Sequence, residues 1–316
     1  MKLNNLNDFR NEGSFPKSIQ FEMTTYCNLS CIFCNQRKLK RKRGSMVFGL
    51  ATKIIDEISD WPDPPTATLI GLGEPLLNPD YFKIIEYAVS KSIQCGSSTN
   101  GMLLNRKFAE QIANSGLKSI NISIDAFTEK TFLKIRPGAN LALIKNNLVE
   151  LLNFRDKYNK GPLINVVFVE CDENRHETDA FVSYWKHIVD SVIIKPLSNF
   201  HGLNDKDSSL SWYRTKRKEK NICDAPFRSV RVSWDGFLTP CFYDCNNECT
   251  AGHIKKNTIL NVFRGDIFSS VRKAFIGGNL IDLGRLGLKC RSCSYRFQES
   301  QRLVRYESKN SRKRIK

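Results

Sequence analysis

Three cysteines lie within eight residues near the N-terminus, in the stretch MTTYCNLSCIFCN at positions 23–35. Cys27, Cys31 and Cys34 directly follow the apolar run SIQFEM at 18–23, which predicts a β-strand. Three thiolates on one short loop can hold three corners of a cubane iron–sulfur cluster and leave the fourth iron open. A structural zinc site needs a fourth protein ligand, and the next cysteine, Cys95, lies two predicted strands further on. The spacing favours an open cluster, and zinc is the alternative for this motif taken alone.

A second set of cysteines lies in the C-terminal third, at Cys223, Cys241, Cys290 and Cys293. The stretch CDAPFRSVRVSWDGFLTPC predicts a β-hairpin that turns at Asp235-Gly236 and brings Cys223 closer to Cys241. Four thiolates with a terminal C-x2-C satisfy either an all-cysteine zinc site or a four-iron cluster. Spacing does not choose between the two.

The remaining cysteines carry weaker signals. Cys245 and Cys249 could supplement or replace a ligand, or form a further site with His253, but we favour loop cysteines with no metal. Cys95 and Cys171 lie in or beside apolar strand-like segments, where a thiol behaves as a small core hydrophobe.

The elements that position these residues alternate between strand-like and helix-like segments. Strands are predicted at 18–23, 67–73, 94–100, 119–125, 163–170 and 191–198. Amphipathic helices are predicted between them in ATKIIDEISDW, YFKIIEYAVSKS, FAEQIANSG, LALIKNNLVELLNF and TDAFVSYWKHIVD. Six consecutive βα units imply a parallel sheet, either open and doubly wound or closed as a barrel of fewer than eight units.

Unusual residues follow four of these strands. The three-cysteine loop follows the first strand, GLGEP closes the second, STNG the third and SIDAF the fourth. Ligands collect at the carboxyl ends of parallel strands in both candidate folds. The four motifs therefore predict one active site at that end of the sheet.

The loop CNLSCIFC, with Phe33 just before its last cysteine, resembles the cluster loop of the radical S-adenosylmethionine (radical SAM) superfamily. In that family the amino and carboxylate groups of S-adenosylmethionine chelate the open iron of a [4Fe-4S] cluster. GLGEP at 71–75 resembles the family's Gly-Gly-Glu-Pro motif, with Leu72 in place of one glycine. The resemblance implies an α/β fold, a partial (β/α)6 barrel with a small cysteine-rich C-terminal domain.

The resemblance also implies a cofactor pocket. Glu74 and nearby backbone would receive the methionyl amino group, and Ser123 and Asp125 would lie near the ribose hydroxyls. Arg136 resembles a recurrent arginine and would meet a carboxylate of cofactor or substrate. The expected cofactor-binding residues are Phe33, Gly71, Gly73, Glu74, Thr99, Asn100, Ser123, Asp125 and Arg136. The pattern identifies no general base.

The second cysteine set resembles the SPASM/twitch extension of radical SAM enzymes, in the order C-x-x-PF, G-x4-C and C-x-x-C. No cysteine follows Cys293, which favours the shorter form with one auxiliary [4Fe-4S] cluster on Cys223, Cys241, Cys290 and Cys293. The resemblance implies a 5′-deoxyadenosyl radical that abstracts a substrate hydrogen, with the auxiliary cluster as electron acceptor. A low-potential donor such as flavodoxin or ferredoxin would supply the first electron.

Charge and domain boundaries complete the expectations. The net charge is +17, and basic runs lie at 35–43, 214–220 and 302–316, which suit either solvated surface or an anionic partner. We expect a lead-in over 1–16, the barrel over 17–198, a linker over 199–222, the auxiliary domain over 223–305 and a basic tail over 306–316. No apolar run is long enough to span a bilayer and no signal peptide is evident, so a cytoplasmic enzyme is expected.

Three functions agree with these patterns to different degrees. The first is oxidation or modification of a peptide side chain, sugar or cyclitol, with a substrate that the basic run at 35–43 suggests is anionic. The second is a radical SAM enzyme that modifies RNA or a nucleotide, whose basic runs would grip phosphates. The third is a zinc-dependent nucleic-acid-binding protein, which leaves the motifs at four strand ends unexplained.

Overall fold

The computed structural model describes residues 15–198, 223–291 and 293. The predicted linker at 199–222, the tail and the basic runs at 214–220 and 302–316 lie outside the described residues. By compactness the chain divides into a first unit of residues 1–27, 35–95 and 198–298 and a second unit of residues 28–34, 96–197 and 299–316. The domain boundaries given above stay predictions.

All six predicted strands are present, and each predicted helical stretch contains a helix. The strands are β1 (Ser18–Glu22), β2 (Thr66–Ile70), β3 (Cys95–Thr99), β4 (Ser119–Ser123), β5 (Leu163–Glu170) and β6 (Ser191–Pro196). The helices are α1 (Phe48–Ser59), α2 (Tyr81–Ser90), α3 (Arg106–Asn114), α4 (Glu129–Ile135), α5 (Leu141–Tyr158) and α6 (Thr178–Trp185). The short helix α4 was missing from the predictions, because its seven residues give too little periodicity to detect.

The C-terminal region contains the predicted hairpin. Its elements are α7 (Ala225–Arg228), β7 (Ser229–Val232), β8 (Phe237–Thr239), β9 (Gly252–His253), α8 (Ile259–Arg264), α9 (Asp266–Ile276) and α10 (Ile281–Arg285). β7 and β8 pair antiparallel, with Val232 opposite Leu238, on either side of the Asp235-Gly236 turn. The hairpin prediction is confirmed, except that the residues before it form a helical turn.

In the first unit, the strand order is β2-β1-β7-β8-β9. β1 pairs in parallel with β2 on one side and with β7 on the other, so Ser18 lies opposite both Thr66 and Ser229. Because both edges of β1 are paired and both faces are covered, Gln20 and Glu22 are buried along with its apolar residues. A fully buried carboxylate on a central strand requires compensation by charge.

In the second unit, the order is β6-β5-β4-β3, and all three pairings are parallel. Ile120, Ile122 and Phe168 are fully buried on one face, where Phe168 packs against Phe181 of α6. The alternate positions carry polar side chains, and Asn165 donates a hydrogen bond to Asn121 across the strands at 3.0 Å. The face that carries Ile120 and Ile122 is therefore core, and the opposite face combines polar side chains with apolar ones such as Val167.

Asparagine side chains fix where two of the helices in the second unit begin. Asn105 accepts a hydrogen bond from the Phe108 N–H ahead of α3, and Asn140 accepts one from the Leu143 N–H ahead of α5. Each such cap stabilises a helix by about 1 kcal/mol. The parallel α/β architecture is confirmed, and no helix among the described residues is long and apolar enough to cross a membrane.

Candidate functional site

The segment GLGEP pins the chain that enters the three-cysteine loop. The Gly73 N–H donates to the Thr24 carbonyl oxygen at 3.0 Å, and the Glu74 N–H donates to that of Tyr26 at 2.8 Å. A side chain at Gly73 would place its Cβ atom 2.2 Å from the Tyr26 oxygen, so only glycine permits this approach. The motif therefore shapes the backbone immediately before Cys27.

Glu74 is buried at the end of this segment. Its Oε1 accepts a hydrogen bond from the Leu76 N–H at 3.2 Å and caps the 3-10 helix at Pro75–Leu77. The structure thus gives Glu74 a capping role. The predicted contacts of Glu74, Gly71 and Gly73 with a methionyl amino group stay predictions.

In the second unit, two contacts brace the loop at 28–34. The Asn100 side-chain amide donates to Oδ1 of Asn28 at 2.8 Å, and the Ile32 N–H donates to the Ile135 carbonyl oxygen at 3.0 Å. The first contact comes from the STNG segment after β3 and the second from the end of α4. The sequence did not lead us to predict that Asn100 bonds to this loop. The signal that could have indicated it is Asn28, a polar loop residue to which no role was given.

The STNG segment owes its shape to its glycine. Gly101 has a left-handed backbone, with φ of +80°, and a Cβ there would lie 2.8 Å from the Ile144 side chain. Thr99 Oγ1 accepts the Gly101 N–H at 3.1 Å, and the side-chain oxygen of Asn100 accepts the Met102 N–H at 2.9 Å. Asn100 is thereby fixed at both ends of its amide, which orients it toward the loop.

Asp125 and Arg136 form a buried ion pair beyond the end of β4, close in sequence to Ser123. Both guanidinium nitrogens Nε and Nη2 of Arg136 donate to Oδ2 of Asp125, with the Nε contact at 2.7 Å. The other oxygen, Oδ1, accepts the Val169 N–H at 2.7 Å. Both carboxylate oxygens of Asp125 are thus engaged, and its expected contact with a ribose stays a prediction.

The thiols of Cys27, Cys31 and Cys34 are partly exposed, unlike the buried thiols of Cys95 and Cys171. The Cys34 N–H donates to the Cys31 carbonyl oxygen at 3.1 Å and closes a turn between them. Burial raises the pKa of Cys95 to about 12, so that thiol stays protonated. The loop cysteines are therefore the accessible thiols of this part of the chain.

Asn35, the residue after Cys34, provides a test of whether the loop suits a cluster. It is fully buried, and neither its amide nitrogen nor its amide oxygen has a hydrogen-bond partner among the described residues. Leaving a buried polar group unpaired costs about 1–3 kcal/mol. A cluster sulfide or a bound polar cofactor beside Cys34 would accept the amide hydrogens. The loop therefore fits a polar group that the protein alone does not provide.

The four C-terminal thiols lie within electrostatic range of one another. Burial raises the pKa of Cys241, and the neighbouring thiols of Cys223, Cys293 and Cys290 raise it further. The pKa of Cys223 is likewise raised by burial and by the neighbouring thiols of Cys293 and Cys290. Cationic iron would offset this burial and mutual repulsion by binding the thiolates.

Across residues 15–198, 223–291 and 293, no three His, Cys, Asp or Glu side chains are arranged around the position of a single metal ion. A tetrahedral zinc ion holds its ligand sulfurs about 2.3 Å from one point. A four-iron cluster keeps its ligand thiolates further apart, because each one binds a different iron.

Cys245 and Cys249 are both buried, and Cys249 packs with Phe227, Val271 and Cys290 in an apolar cluster. Burial raises the pKa of Cys249 to about 12, with a further contribution from Asp244. Nothing in these surroundings distinguishes a ligand from a core thiol. Their assignment as loop cysteines with no metal stays a prediction.

A buried charge network, which the sequence analysis missed, lies at the end of β1. Oε1 of Glu22 accepts a hydrogen bond from Nη2 of Arg41 and another, at 2.8 Å, from Nη2 of Arg231. Its second oxygen, Oε2, accepts the Trp234 N–H at 3.1 Å. Burial alone would raise the pKa of Glu22, but the charges of Arg231 and Arg41 outweigh it and lower that pKa. Glu22 is therefore ionised and holds two arginines. Charged residues inside the apolar strands SIQFE and SVRV were the available signal.

The two arginines extend this network to the loop that carries Cys241. Arg231 donates to the Asp244 carbonyl oxygen at 3.1 Å and to Oδ1 of Asn247 at 2.9 Å. Arg41 donates to the Cys245 carbonyl oxygen at 2.7 Å. One carboxylate thus anchors the strand before Cys27 and the loop after Cys241.

Arg41 also changes the interpretation of the basic run at 35–43. Its side chain is 11% exposed and forms an ion pair with Glu22, so Arg41 is part of the protein interior. The other basic residues of the run, in contrast, are exposed at the surface: Arg37, Lys38, Lys40, Lys42 and Arg43. The sequence suggested that the whole run lies at the surface. In the structure Arg41 lies in the interior, and the remaining basic residues of the run lie at the surface.

Comparison with known proteins gives two family matches, and each matched range contains one of the two cysteine sets. The family model described as the radical SAM superfamily matches residues 21–181, and the SPASM model, described as an iron-sulfur cluster-binding domain, matches residues 223–294. The tungsten-containing aldehyde ferredoxin oxidoreductase cofactor-modifying protein of Pyrococcus furiosus is 25% identical over 318 residues, covering 89% of this chain and 88% of the relative.

Solved structures of two proteins share the fold. BtrN, in complex with AdoMet and 2-DOIA, has a TM-score of 0.59 at 19% identity and covers 92% of this chain and 99% of its own. SuiB of Streptococcus suis, bound to precursor peptide SuiA, has a TM-score of 0.61 at 17% identity and covers 82% of this chain and 67% of its own. The predicted partial barrel with a cysteine-rich C-terminal domain is confirmed.

The Glu22 network generates a stability prediction. Glu22→Gln leaves Arg41 and Arg231 buried without a counter-charge, and removing one partner of a buried ion pair costs about 3–5 kcal/mol. We expect a loss of that size in the free energy of unfolding, measured by urea titration of the cluster-loaded protein. Lys42→Gln, an exposed charge in the same run, should change it by less than about 0.5 kcal/mol. Equal effects of the two substitutions would contradict the assignment.

The same network predicts a dependence on pH. The pKa of Glu22 is lower in the folded protein than in the unfolded chain, where it is about 4.3. The ionised carboxylate therefore contributes fully to the stability of the fold above that unfolded pKa, and this contribution is lost as the pH falls through the folded pKa. The stability gap between wild type and Glu22→Gln should therefore narrow on acidification. A gap that stays constant down to strongly acidic pH would remove this explanation.

Proposed function

The chain belongs to the radical SAM superfamily, and on that premise we propose that it oxidises a peptide side chain, a sugar or a cyclitol by removing a hydrogen atom. The observation that carries the proposal is the contrast between its two cysteine sets. One offers three partly exposed thiols on a single loop, and the other gathers four thiols in a separate iron–sulfur domain. The first suits an open cluster and the second a closed one. Because the chain belongs to this superfamily, we do not retain the alternative of a zinc-dependent nucleic-acid-binding protein.

The cofactors are a [4Fe-4S] cluster, S-adenosylmethionine and an auxiliary iron–sulfur cluster. When bound, the first cluster would be held by Cys27, Cys31 and Cys34 and would supply the electron for reductive cleavage of S-adenosylmethionine, so that one hydrogen atom of the substrate is transferred to the 5′-deoxyadenosyl group. Net oxidation of the substrate then requires the loss of one further electron and one proton, and we propose that the auxiliary cluster on Cys223, Cys241, Cys290 and Cys293 would accept that electron. A low-potential donor such as flavodoxin or ferredoxin would provide the initial electron.

We assign Cys27, Cys31 and Cys34 to the first cluster and Cys223, Cys241, Cys290 and Cys293 to the auxiliary one. In support, GLGEP holds the backbone before Cys27 within the first unit, and Asn100 and Ile135 hold the loop at 28–34 within the second. We further propose that Phe33, Glu74, Thr99 and Ser123 contact S-adenosylmethionine. Their positions in a braced loop, at strand ends or just beyond them suit holding cofactor and substrate in line.

Lys195 supports an anionic group on the substrate. Ser123 is in register with Val167, and two residues further Val169 is in register with Lys195, so Lys195 lies on the same sheet face as Ser123. Burial lowers the pKa of Lys195, and its side chain has no ion-pair partner among the described residues. Lys195 is half-buried, and a substrate carboxylate or phosphate would offset the cost of partly desolvating its ammonium group.

Besides the sugar or cyclitol proposed above, two substrate classes each have a specific observation in their favour. An anionic peptide is the first, and it is supported by SuiB, a structural neighbour whose solved complex contains a precursor peptide. A nucleotide or RNA is the second, supported by the exposed basic residues of the run at 35–43. Lys195 is compatible with both, so the chemistry of the substrate needs direct measurement.

Substrate class is tested by the yield of 5′-deoxyadenosine. Anaerobic enzyme with dithionite and S-adenosylmethionine should form it slowly alone and several-fold faster with a true substrate, because substrate binding commits the radical to hydrogen abstraction. Acidic peptides, cyclitol or sugar phosphates, and nucleotides should be compared at equal concentration. Substrate deuterium found in the 5′-deoxyadenosine identifies the reacting class. No 5′-deoxyadenosine with any class, from protein loaded with both clusters, would contradict the proposal.

The cluster loop gives a second test. Replacing Cys27, Cys31 and Cys34 with Ala should lower the iron content by about four per chain and abolish 5′-deoxyadenosine formation, because a cubane needs its thiolate corners. Cys245→Ala/Cys249→Ala is the control and should change neither quantity. Continued release of 5′-deoxyadenosine by the triple variant would place the site elsewhere.

The auxiliary site gives a third test. Cys290→Ala/Cys293→Ala should also lower iron by about four per chain but leave cleavage of S-adenosylmethionine intact, because the first cluster has its own ligands. Product formation should fail while 5′-deoxyadenosine still forms. If this variant contains less zinc than the wild-type protein and the same amount of iron, the site holds no auxiliary cluster, and the oxidation hypothesis is contradicted as well.

A further inference from the structure

Helix α4 ends against the cluster loop. The carbonyl oxygen of Ile135, the last residue of α4, accepts the N–H of Ile32, which lies between Cys31 and Cys34. Arg136 follows directly as the residue that terminates the helix. Its position is therefore fixed by a backbone hydrogen bond to the loop that carries two proposed cluster ligands.

The Arg136 side chain is held rigidly and away from solvent. It is 5% exposed, and two of its guanidinium nitrogens donate to the same oxygen of Asp125. Asp125 is itself anchored, since its other side-chain oxygen accepts the Val169 N–H at 2.7 Å and its backbone oxygen accepts the amide of Asn174 at 2.7 Å. A guanidinium held in this way cannot turn away from the loop without breaking several buried hydrogen bonds.

The guanidinium acts electrostatically on the loop cysteines. Burial opposes its charge, but Asp125 and the thiols of Cys31 and Cys34 together raise the pKa of Arg136. The guanidinium, which is always cationic in proteins, therefore lies within electrostatic range of the Cys31 and Cys34 sulfurs. Asp125 accounts for the hydrogen bonds of the guanidinium, but it does not explain why the pair is placed beside these two sulfurs.

We propose that Arg136, positioned by Asp125, is a charge partner of the cluster held by Cys31 and Cys34 and makes that cluster easier to reduce. The inference rests on the proposed function, which assigns a cluster to this loop. Reduction adds negative charge to a cluster that three thiolates already make anionic, and a buried cation stabilises the added charge. Arg136 is a positioning residue, because it acts through the cluster and need not touch the substrate.

The test is a reductive titration of the cluster-loaded protein followed by electron paramagnetic resonance. The first cluster is identified as the one whose spectrum changes when S-adenosylmethionine is added. Arg136→Gln should shift its midpoint potential to a more negative value, whereas Arg136→Lys, which keeps the charge, should restore part of the shift. The auxiliary signal should stay where it is.

Lys134→Gln is the matched control, because Lys134 lies on the same helix two residues away but is exposed. Its effect should be small and should vanish at high salt, while the Arg136→Gln shift should persist because a buried charge is poorly screened. Should Arg136→Gln fail to assemble its cluster, Asp125→Asn/Arg136→Gln removes both charges and leaves no unpaired buried carboxylate. That double variant should show a negative shift that is smaller than that of Arg136→Gln, because loss of the Asp125 carboxylate partly offsets loss of the guanidinium.

The outcomes separate this inference from the proposed function. A first cluster that is present by iron and sulfide analysis, with an unchanged potential in Arg136→Gln and in the double variant, overturns the role of Arg136 alone. Absence of any cluster sensitive to S-adenosylmethionine in the wild-type protein overturns the proposed function first.

Discussion

The first unit of the molecule is organised around one buried carboxylate, Glu22. It lies on a central strand with neighbours on both edges, and two arginines distant in sequence compensate its charge. Arg41 comes from the segment after the three-cysteine loop, and Arg231 comes from the C-terminal hairpin. A buried carboxylate left without these partners would be strongly destabilising. Formation of this interaction therefore requires the N-terminal strand and the C-terminal iron–sulfur domain to be folded together.

The second unit uses hydrogen bonds and one ion pair for an analogous purpose. Asn100 and the end of α4 hold the loop at 28–34, while Asp125 holds Arg136 beside it. The loop thiols stay accessible and their supports are buried. An open cluster needs this combination, since a ligand must enter and leave while the iron positions stay fixed. The auxiliary thiols need no such access, which agrees with the burial of Cys290 and Cys293.

Much of this could be predicted from the sequence, because the signals were local. Apolar runs bounded by turn residues gave all six strands, and Asp235-Gly236 gave the hairpin. The cysteine motifs, through their resemblance to known families, predicted the two iron–sulfur domains that the family models match. The Glu22 network could not be predicted, since Arg231 lies 209 residues from Glu22 and their pairing depends on strand order. The helix α4 was too short to give a periodic signal, so the Ile135 contact with the loop was missed. The basic run was interpreted as surface because a charge pattern does not reveal one arginine that turns inward.

The central claim is that the chain holds two clusters and that only the first binds S-adenosylmethionine. The most direct test is electron–nuclear double resonance on the reduced protein, with S-adenosylmethionine labelled by magnetic isotopes at its amino nitrogen and carboxylate oxygens. The account predicts strong coupling of both labels to the cluster that is lost when Cys27, Cys31 and Cys34 are replaced. It predicts no coupling to the cluster that is lost with Cys290 and Cys293. Coupling to the latter cluster, or to none, would contradict the account.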